Sequence, residues 1–576
     1  MSVAPVTAVA GRELTLRAVL VGCGIGAILA AGNVYTSVKT GFIDGGSISA
    51  AVLGFTFFAI FRRVVRLPYS AKENNITQTT ASSAAVMSFV LGAGGPLSAL
   101  GLMGKTYPAW ELILWTICLG LLGISIAALL RNKLIVVEEL PFPTGAATAE
   151  VIETIHTTRD SALHRARLLA VAALIATFIT WFRDGPHSFI PQLWIAPLAI
   201  GGVSLGALTV GISWSPLLAG TGIFMGLRGA VSMLVGALLS WVVVAPVLVR
   251  TGTIATASYS ACVSWVVWPA LGLMSASTFL PLLLDWRSAW RSLRDLSSVV
   301  RVRTPSATAG QALFPFQKTL LVMCILATMV IGSMTFGLHP LVTAAALMLA
   351  VIMGGVCARA AGETDLAPVG QVGTAMQLGF GSYGPVPSVV VGSIAQGSSS
   401  QVAQMLWAFK AGYLLKAGPR AQVVAQIIGT LLGALVVVPV YLVIIRVYTL
   451  GTELMPAPSA LSWRATAEAV HGGLAAMPPS GPAALLAGLV LGIAITLLGR
   501  TRAQRFLPSP TAMGIAMLMP ASLTVSVFLG AGAAALARRR WPQLSDSALS
   551  SVAAGCIAGE SVMGVIVAAL IALGFG

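Results

Sequence analysis

"ELILWTICLGLLGISIAALL" (residues 111–130) carries its single charge, Glu111, at the first position. About 20 consecutive apolar residues are enough for a helix to cross the hydrocarbon core of a bilayer. Reading outward, "LLAVAALIATFITWF" (168–182) has the same character, and runs like it recur along the whole chain. By length they make roughly 14–16 membrane-crossing or membrane-entering segments. Composition agrees, since 57% of the 576 residues are hydrophobic and 9% charged, against about 25% charged in a soluble protein. The alternating strands of about ten residues that mark a membrane barrel are missing. The expected fold is an all-α polytopic membrane protein, with residues 1–576 forming one transmembrane domain.

The net charge of +16 would point to nucleic acid in a soluble chain. Here the basic residues gather in short links between apolar runs, so the charge reads as topology and no nucleic-acid partner is expected. Arg62, Arg63 and Arg66 follow the second run, and Arg287, Arg291, Arg294, Arg301 and Arg303 occupy the longest hydrophilic loop, about 285–317. Arg500, Arg502 and Arg505 form a further cluster, as do Arg538, Arg539 and Arg540. The positive-inside rule places these clusters in the cytoplasm. Arg12 and Arg17 put the amino terminus there too, entering the first span without a cleavable signal pattern. A multi-pass location in a prokaryotic inner membrane is the expectation. The six cysteines stand singly in apolar segments and the five histidines are scattered, so neither a metal site nor a cofactor is expected.

Two short stretches occur twice. "VKTGF" (38–42) returns as "FKAGY" (409–413), and "LPFPT" (140–144) as "LPSPT" (507–511), in the same order and at nearly equal separation. An internal repeat is expected, with units at roughly 14–200 and 372–576 and the site between them; parallel and inverted arrangements both stay open. "RFLPSPTAMGIAMLMPASLTVSVFLGAGAAALARRR" (505–540) is basic at both ends, so both ends face one side and one straight helix is excluded. Pro508, Pro510 and Pro520, with Gly514, break a helix here. Broken backbone inside a membrane must be buried in protein or line a cavity, so a re-entrant hairpin or broken helix is expected. "EELPFPTGAATAEVIETI" (138–155), with Pro141 and Pro143, is too short and too polar to span and reads the same way. "ALSWRATAEAV" (460–470) reads as a short interfacial helix.

A few polar residues interrupt the apolar runs. Glu560 has only small and apolar neighbours for a dozen residues on either side. A carboxylate at that depth costs several kcal/mol unless solvated or paired. Glu560 should therefore face the interior, either taking up a coupling proton or pairing with one basic residue; Glu150 is the second candidate for the proton. Lys39 and Lys410 each precede a glycine by two residues and an aromatic, Phe42 or Tyr413, by three. They read as a paired site for a carboxylate or as lysines reaching for the interface, and Asp44 could partner Lys39. Asn75, Gln78 and Thr79 should face inward. The expected substrate-binding set is Lys39, Gln78, Thr144, Lys410 and Tyr413.

Seven stretches carry a resemblance: "VKTGFIDGGSISAAVLGF" (38–55), "ENNITQTTASSAA" (73–85), "EELPFPTGAATAEVI" (138–152), "GETDLAPVGQVGTAMQ" (362–377), "FKAGYLLKAGPRAQVVAQIIGT" (409–430), "FLPSPTAMGIAMLMPAS" (506–522) and "AAGCIAGESVMG" (553–564). In this order the chain resembles the oligopeptide transporter family, which includes the yellow-stripe-like metal–chelate transporters. "FKAGYLLKAGPRAQ" is closer to the yellow-stripe-like and bacterial branch. The peptide branch of plants and fungi carries "NPG" and "K-I-P-P-R", where this chain has "LAPVG" (366–370) and "KAGPR" (416–420). The resemblance implies a proton-driven secondary symporter that imports short peptides or, alternatively, metal complexes of amino-acid-derived chelators. Its partners would be that small-molecule substrate, protons and the lipid bilayer. An enzyme is not expected, because no Walker sequence, HExxH, GxSxG or catalytic aspartyl pair is present. A passive channel is the remaining rival.

Overall fold

The computed structural model describes residues 13–43, 45–60, 69–157, 159–195, 197, 199–200, 203–256, 258–284, 317–542 and 545–575. Arg12, Asp44, Arg62, Arg63, Arg66 and the arginines of the 285–317 loop lie outside them. Twelve helical stretches among the described residues are long and apolar enough to cross a membrane, and the protein is an all-α multi-pass membrane protein. The described strands are two antiparallel pairs of two residues, β1 (Leu193–Trp194) with β4 (Ile212–Ser213) and β2 (Ala199–Ile200) with β3 (Val203–Ser204).

Helices α1 (Leu16–Thr40) and α3 (Ala71–Leu91) start side by side. Ser70 and Glu73 form a reciprocal cap on α3, and Glu73 also holds Arg17 of α1 at 2.8 Å. From there the two run parallel, with Gly22 against Thr77 and Thr80, and Gly26 against Ala81 and Ala84. Lipid provides no hydrophobic drive between helices, so close backbone approach through small residues holds them. Between them lies α2 (Ser47–Ile60). Gly41, at φ 78°, ends α1 in the left-handed conformation. Gly46, at the start of the next helix, lies against Leu29 and Ala85. Leu29 is about three turns back from the end of α1, so α2 begins inside the bundle rather than at its surface.

A second break is made by α8 (Pro216–Leu238), where Gly226 is non-helical at φ 74°, ψ 169°. The first half of α8 starts beside Glu560, near the middle of the last helix (Asp546–Ala572). By Gly220 it has moved toward Ala553, in the direction of that helix's start. Beyond Gly226, Arg228 reaches the carbonyl of Gln504, Ser232 accepts from the Ser509 amide, and Gly236 packs on Met513. Thus α8 descends from half depth to the end of the bundle that carries Arg500, Arg502 and Arg505, reverses, and rises again. The 505–540 segment is built as two helices, Pro510–Met517 and Ala521–Arg540, which meet at Leu518–Pro520. Groups freed at this break find protein partners, as a dry interior requires. Trp241 and Tyr259 donate to the carbonyls of Met519 and Leu518, each at 2.7 Å. The amides of Ala521 and Ser522 donate to the Thr209 hydroxyl and carbonyl, each at 2.9 Å.

The other Leu-Pro-x-Pro-Thr stretch leads into a helix, Pro143–Thr157, that does not cross. Its Gly145 packs on Trp407 and Lys410, and its His156 lies 3.4 Å from Asn74 at the start of α3. Both contacts are at the Arg17 end of the bundle, because Gly418, just past Lys410, donates to Glu13. Lys39, in contrast, sits at the far end of α1. The two Leu-Pro-x-Pro-Thr stretches therefore share the basic end, while the two Lys-x-Gly stretches lie at opposite ends. The 460–470 stretch is helical within Pro458–Gly472, with Ala460, Trp463 and Ala467 buried in protein.

Candidate functional site

Near the middle of the bundle four elements converge on one carboxylate. Glu560 is fully buried. Its Oε1 accepts from Lys39 Nζ at 3.0 Å, Arg183 Nη2 at 3.0 Å and Ser215 Oγ at 2.8 Å. Its Oε2 accepts from Ser215 Oγ and the Leu217 amide, both at 2.8 Å. Ser215 and Leu217 belong to the cap and first turn of α8, so the positive end of that helix adds to the two cations. Lys39 also donates to Tyr35 at 3.1 Å, and Arg183 to Asp184 at 2.8 Å and the Trp214 carbonyl at 2.7 Å. Two cations and two carboxylates make the cluster neutral. Buried charge survives only when paired and hydrogen-bonded in this way.

Cavities lie on both sides of the cluster. One of about 230 Å³, lined by Tyr35, Lys39, Arg183, Asp184, Tyr448 and Glu453, opens at the end of the bundle away from Arg17. Glu453 stands in the loop at its rim, where partial burial raises its carboxyl above the usual range. The other, of about 340 Å³, lies toward the basic end and is lined by Gly45, Ser47, Thr144, Arg165, Gln404 and Trp407. A small gap of about 30 Å³, bordered by Gly32, Asn33 and Ser561, adjoins this second cavity through Ser49, Leu169 and Ala554 on the side toward Glu560. Ser561 there meets Thr36 at 2.8 Å. The charge cluster is thus a plug between two opposed chambers.

Of the residues expected to bind substrate, Thr144 lines the larger chamber and Lys39 the smaller, while the others are elsewhere. Gln78 is buried and donates to Ser82 at 3.1 Å. Lys410 donates to the Leu140 carbonyl at 2.7 Å, bracing the Pro141–Pro143 turn, and Tyr413 is exposed. The shared Lys-x-Gly spelling does not bring Lys410 to Lys39, because it falls at the other end of the bundle. Glu150 is on the exposed face of its helix, so of the two carboxylates only Glu560 reaches the interior cluster. Its cations are two rather than one. Arg183 was not singled out because it sits at the edge of an apolar run, where an arginine ordinarily marks the interface. Gln404 and Trp407 carry no motif at all.

Thr144 is itself held in place. Its amide and hydroxyl donate to the two carboxylate oxygens of Asp365 at 2.9 and 2.7 Å. Asp365→Gly keeps the left-handed backbone that Asp365 adopts at φ 66° and removes only the cap. It is expected to cost about 0.5–2 kcal/mol, read as a lower Tm of the purified protein.

A family model described as "OPT oligopeptide transporter protein" matches residues 13–571. The chain is 24% identical to "Putative oligopeptide transporter YGL114W" of Saccharomyces cerevisiae, over 96% of this chain and 95% of that protein. It is also 24% identical to "Putative oligopeptide transporter" of Haemophilus influenzae, over 94% and 92% respectively. With "Metal-nicotianamine transporter YSL2" of Arabidopsis thaliana it shares 22% identity, over 96% and 92%.

Proposed function

This chain belongs to the oligopeptide transporter family, and on that premise we propose that it is a proton-coupled secondary carrier for short peptides or, as second choice, metal complexes of amino-acid-derived chelators. The observation that carries the reading is the charged plug between two chambers. A channel needs one continuous path, whereas a carrier needs a site reachable from one side at a time. The basic end is taken as cytoplasmic from its charge bias, in a prokaryotic inner membrane.

Glu560 is the proposed proton site. A proton arriving there removes the one charge that holds Lys39, Arg183 and the start of α8 together. The half-helix of α8, pivoting at Gly226, is then free to move against the last helix. Glu453, at the rim of the outer chamber, is the proposed entry point for that proton.

The test is proton influx into proteoliposomes, challenged with di- to hexapeptides and with iron or nickel chelates. Proton influx driven by peptides or by chelates supports the carrier and identifies its cargo. Substrate flux without proton movement overturns the coupling and favours a channel. Glu150→Gln is expected to leave the proton-to-substrate ratio unchanged, since that side chain faces outward, whereas Glu560→Gln is expected to abolish coupled proton movement.

A further inference from the structure

The larger chamber contains two polar groups that the fold leaves without a partner. Gln404 is fully buried. Its amide nitrogen donates to Ser47 at 3.0 Å, but its Oε1 accepts nothing among the described residues. That oxygen is aimed at Gly45, where a Cβ would stand 3.5 Å from it. One turn along the same helix (Pro385–Leu414), the buried Trp407 Nε1–H likewise has no acceptor. Leaving a buried donor or acceptor unmade ordinarily costs about 1–3 kcal/mol, so a ligand that completes both would gain from the pair.

What it lacks is specific in sign. Gln404 Oε1 needs a donor and Trp407 Nε1 needs an acceptor. Ser47 and Ile48, which also line the chamber, belong to the first turn of α2, whose helix dipole favours an anion. Arg165 also lines the chamber and has no ion-pair partner among the described residues. Gly45, with no side chain, leaves the backbone open to close approach. A donor and an anionic acceptor carried by one small molecule describe a zwitterion, either a free amino acid or a short peptide with its two termini. The chamber's about 340 Å³ is at the small end of ligand sites, which run about 300–1,000 Å³.

We propose that this chamber is a binding site for the amino and carboxylate groups of a zwitterionic amino acid or short peptide. The amino group donates to Gln404 Oε1, and the carboxylate is received by Trp407 Nε1, the start of α2 and Arg165. The proposal rests on the carrier reading for its purpose but not for its test. A short peptide, through its two termini, and a metal-free amino-acid-derived chelator both offer such a pair of charges, and the experiment separates them.

Binding is measured on the full-length protein in nanodiscs, with dialanine, dialanine amide, N-acetyl-dialanine and nicotianamine as probes. Wild type should bind dialanine or nicotianamine, whichever is the natural source, and each blocked dialanine should bind about tenfold more weakly than the free form. Trp407→Phe keeps the ring and loses only the N–H; it should weaken dialanine about tenfold while leaving the amide as it was. Gln404→Met should weaken dialanine and leave N-acetyl-dialanine as it was. If nicotianamine alone binds and both variants weaken it, the site takes the chelator end. The proposal is overturned if wild type binds neither free probe, or if both variants bind them as wild type does. Uptake assays on the same variants keep the two ideas apart. Proton-coupled uptake with unchanged KM in both variants removes the site and keeps the carrier, while binding without any uptake does the reverse.

Discussion

Glu560→Ala is expected to destabilise the folded protein by about 3–5 kcal/mol, the usual result of leaving buried charge uncompensated. Two cations, Lys39 and Arg183, lose their common partner at once, and both are nearly inaccessible to water. Ser215 and the Leu217 amide lose their acceptor as well. In a thermal melt of the detergent-purified protein this should appear as a large fall in Tm or as no folded peak. Glu560→Gln is milder, because the amide oxygen still accepts from Leu217 while the charge is gone. A background of Lys39→Met with Arg183→Met should make Glu560→Ala far better tolerated, since no orphan cation then remains. A wild-type melt for Glu560→Ala alone would mean that the three charges are not held together in the membrane.

Gly222→Val is expected to be as damaging, for a steric reason. A Cβ on Gly222 would overlap the carbonyl of Val527, and one on Gly530 would overlap the backbone of Ala219. Here α8 and the helix Ala521–Arg540 touch backbone to backbone, with no side chain to yield. Overpacking a close-packed contact costs typically about 1–3 kcal/mol. A branched residue against main chain should exceed that and give no folded protein. Gly222→Ala should fall within the range. Gly532→Ala is the control, because nothing lies within 4 Å of its Cβ position; it should melt as wild type. Melting and size-exclusion profiles of the three variants check the ranking. Equal behaviour at Gly222 and Gly532 would show that this crossing is not tight.

The helical membrane architecture was legible because hydropathy reports it directly. What hydropathy does not report is direction. Residues 216–250 read as one long apolar run, yet Gly226 turns it back on itself, and nothing in the sequence sets it apart from Gly220, Gly222, Gly229 and Gly236. The break at Leu518–Pro520 was legible, because arginines at both ends of 505–540 demand a return and prolines supply it. Glu560 stood out because no other charged residue lies within a dozen residues of it in sequence. The second cation did not, because what makes Arg183 unusual is that it is nearly buried at a helix end where arginines normally reach water. Lys410 misled for the opposite reason. Its neighbours copy those of Lys39, but local spelling does not fix the end of a bundle at which a helix stops. Gln404 and Trp407 were invisible because the chemistry there is a missing partner, which exists only once the surrounding helices are in place.

The carboxylate at the centre of the plug lies on a helix synthesised long after the elements that carry its partners. Lys39 leaves the ribosome 521 residues before Glu560, and Arg183 leaves it 377 residues before. At about 5–20 residues per second, the lysine waits roughly half a minute to two minutes for its counter-charge. During that interval neither cation has its final partner, and the half-helix of α8 has no acceptor for its leading amide. The core of the protein therefore closes only once the helix Asp546–Ala572 has been made. A chain truncated before residue 546 would keep most of its spans and still leave one net positive charge, shared by Lys39 and the Arg183–Asp184 pair, within the bilayer, a signature that membrane quality control can read.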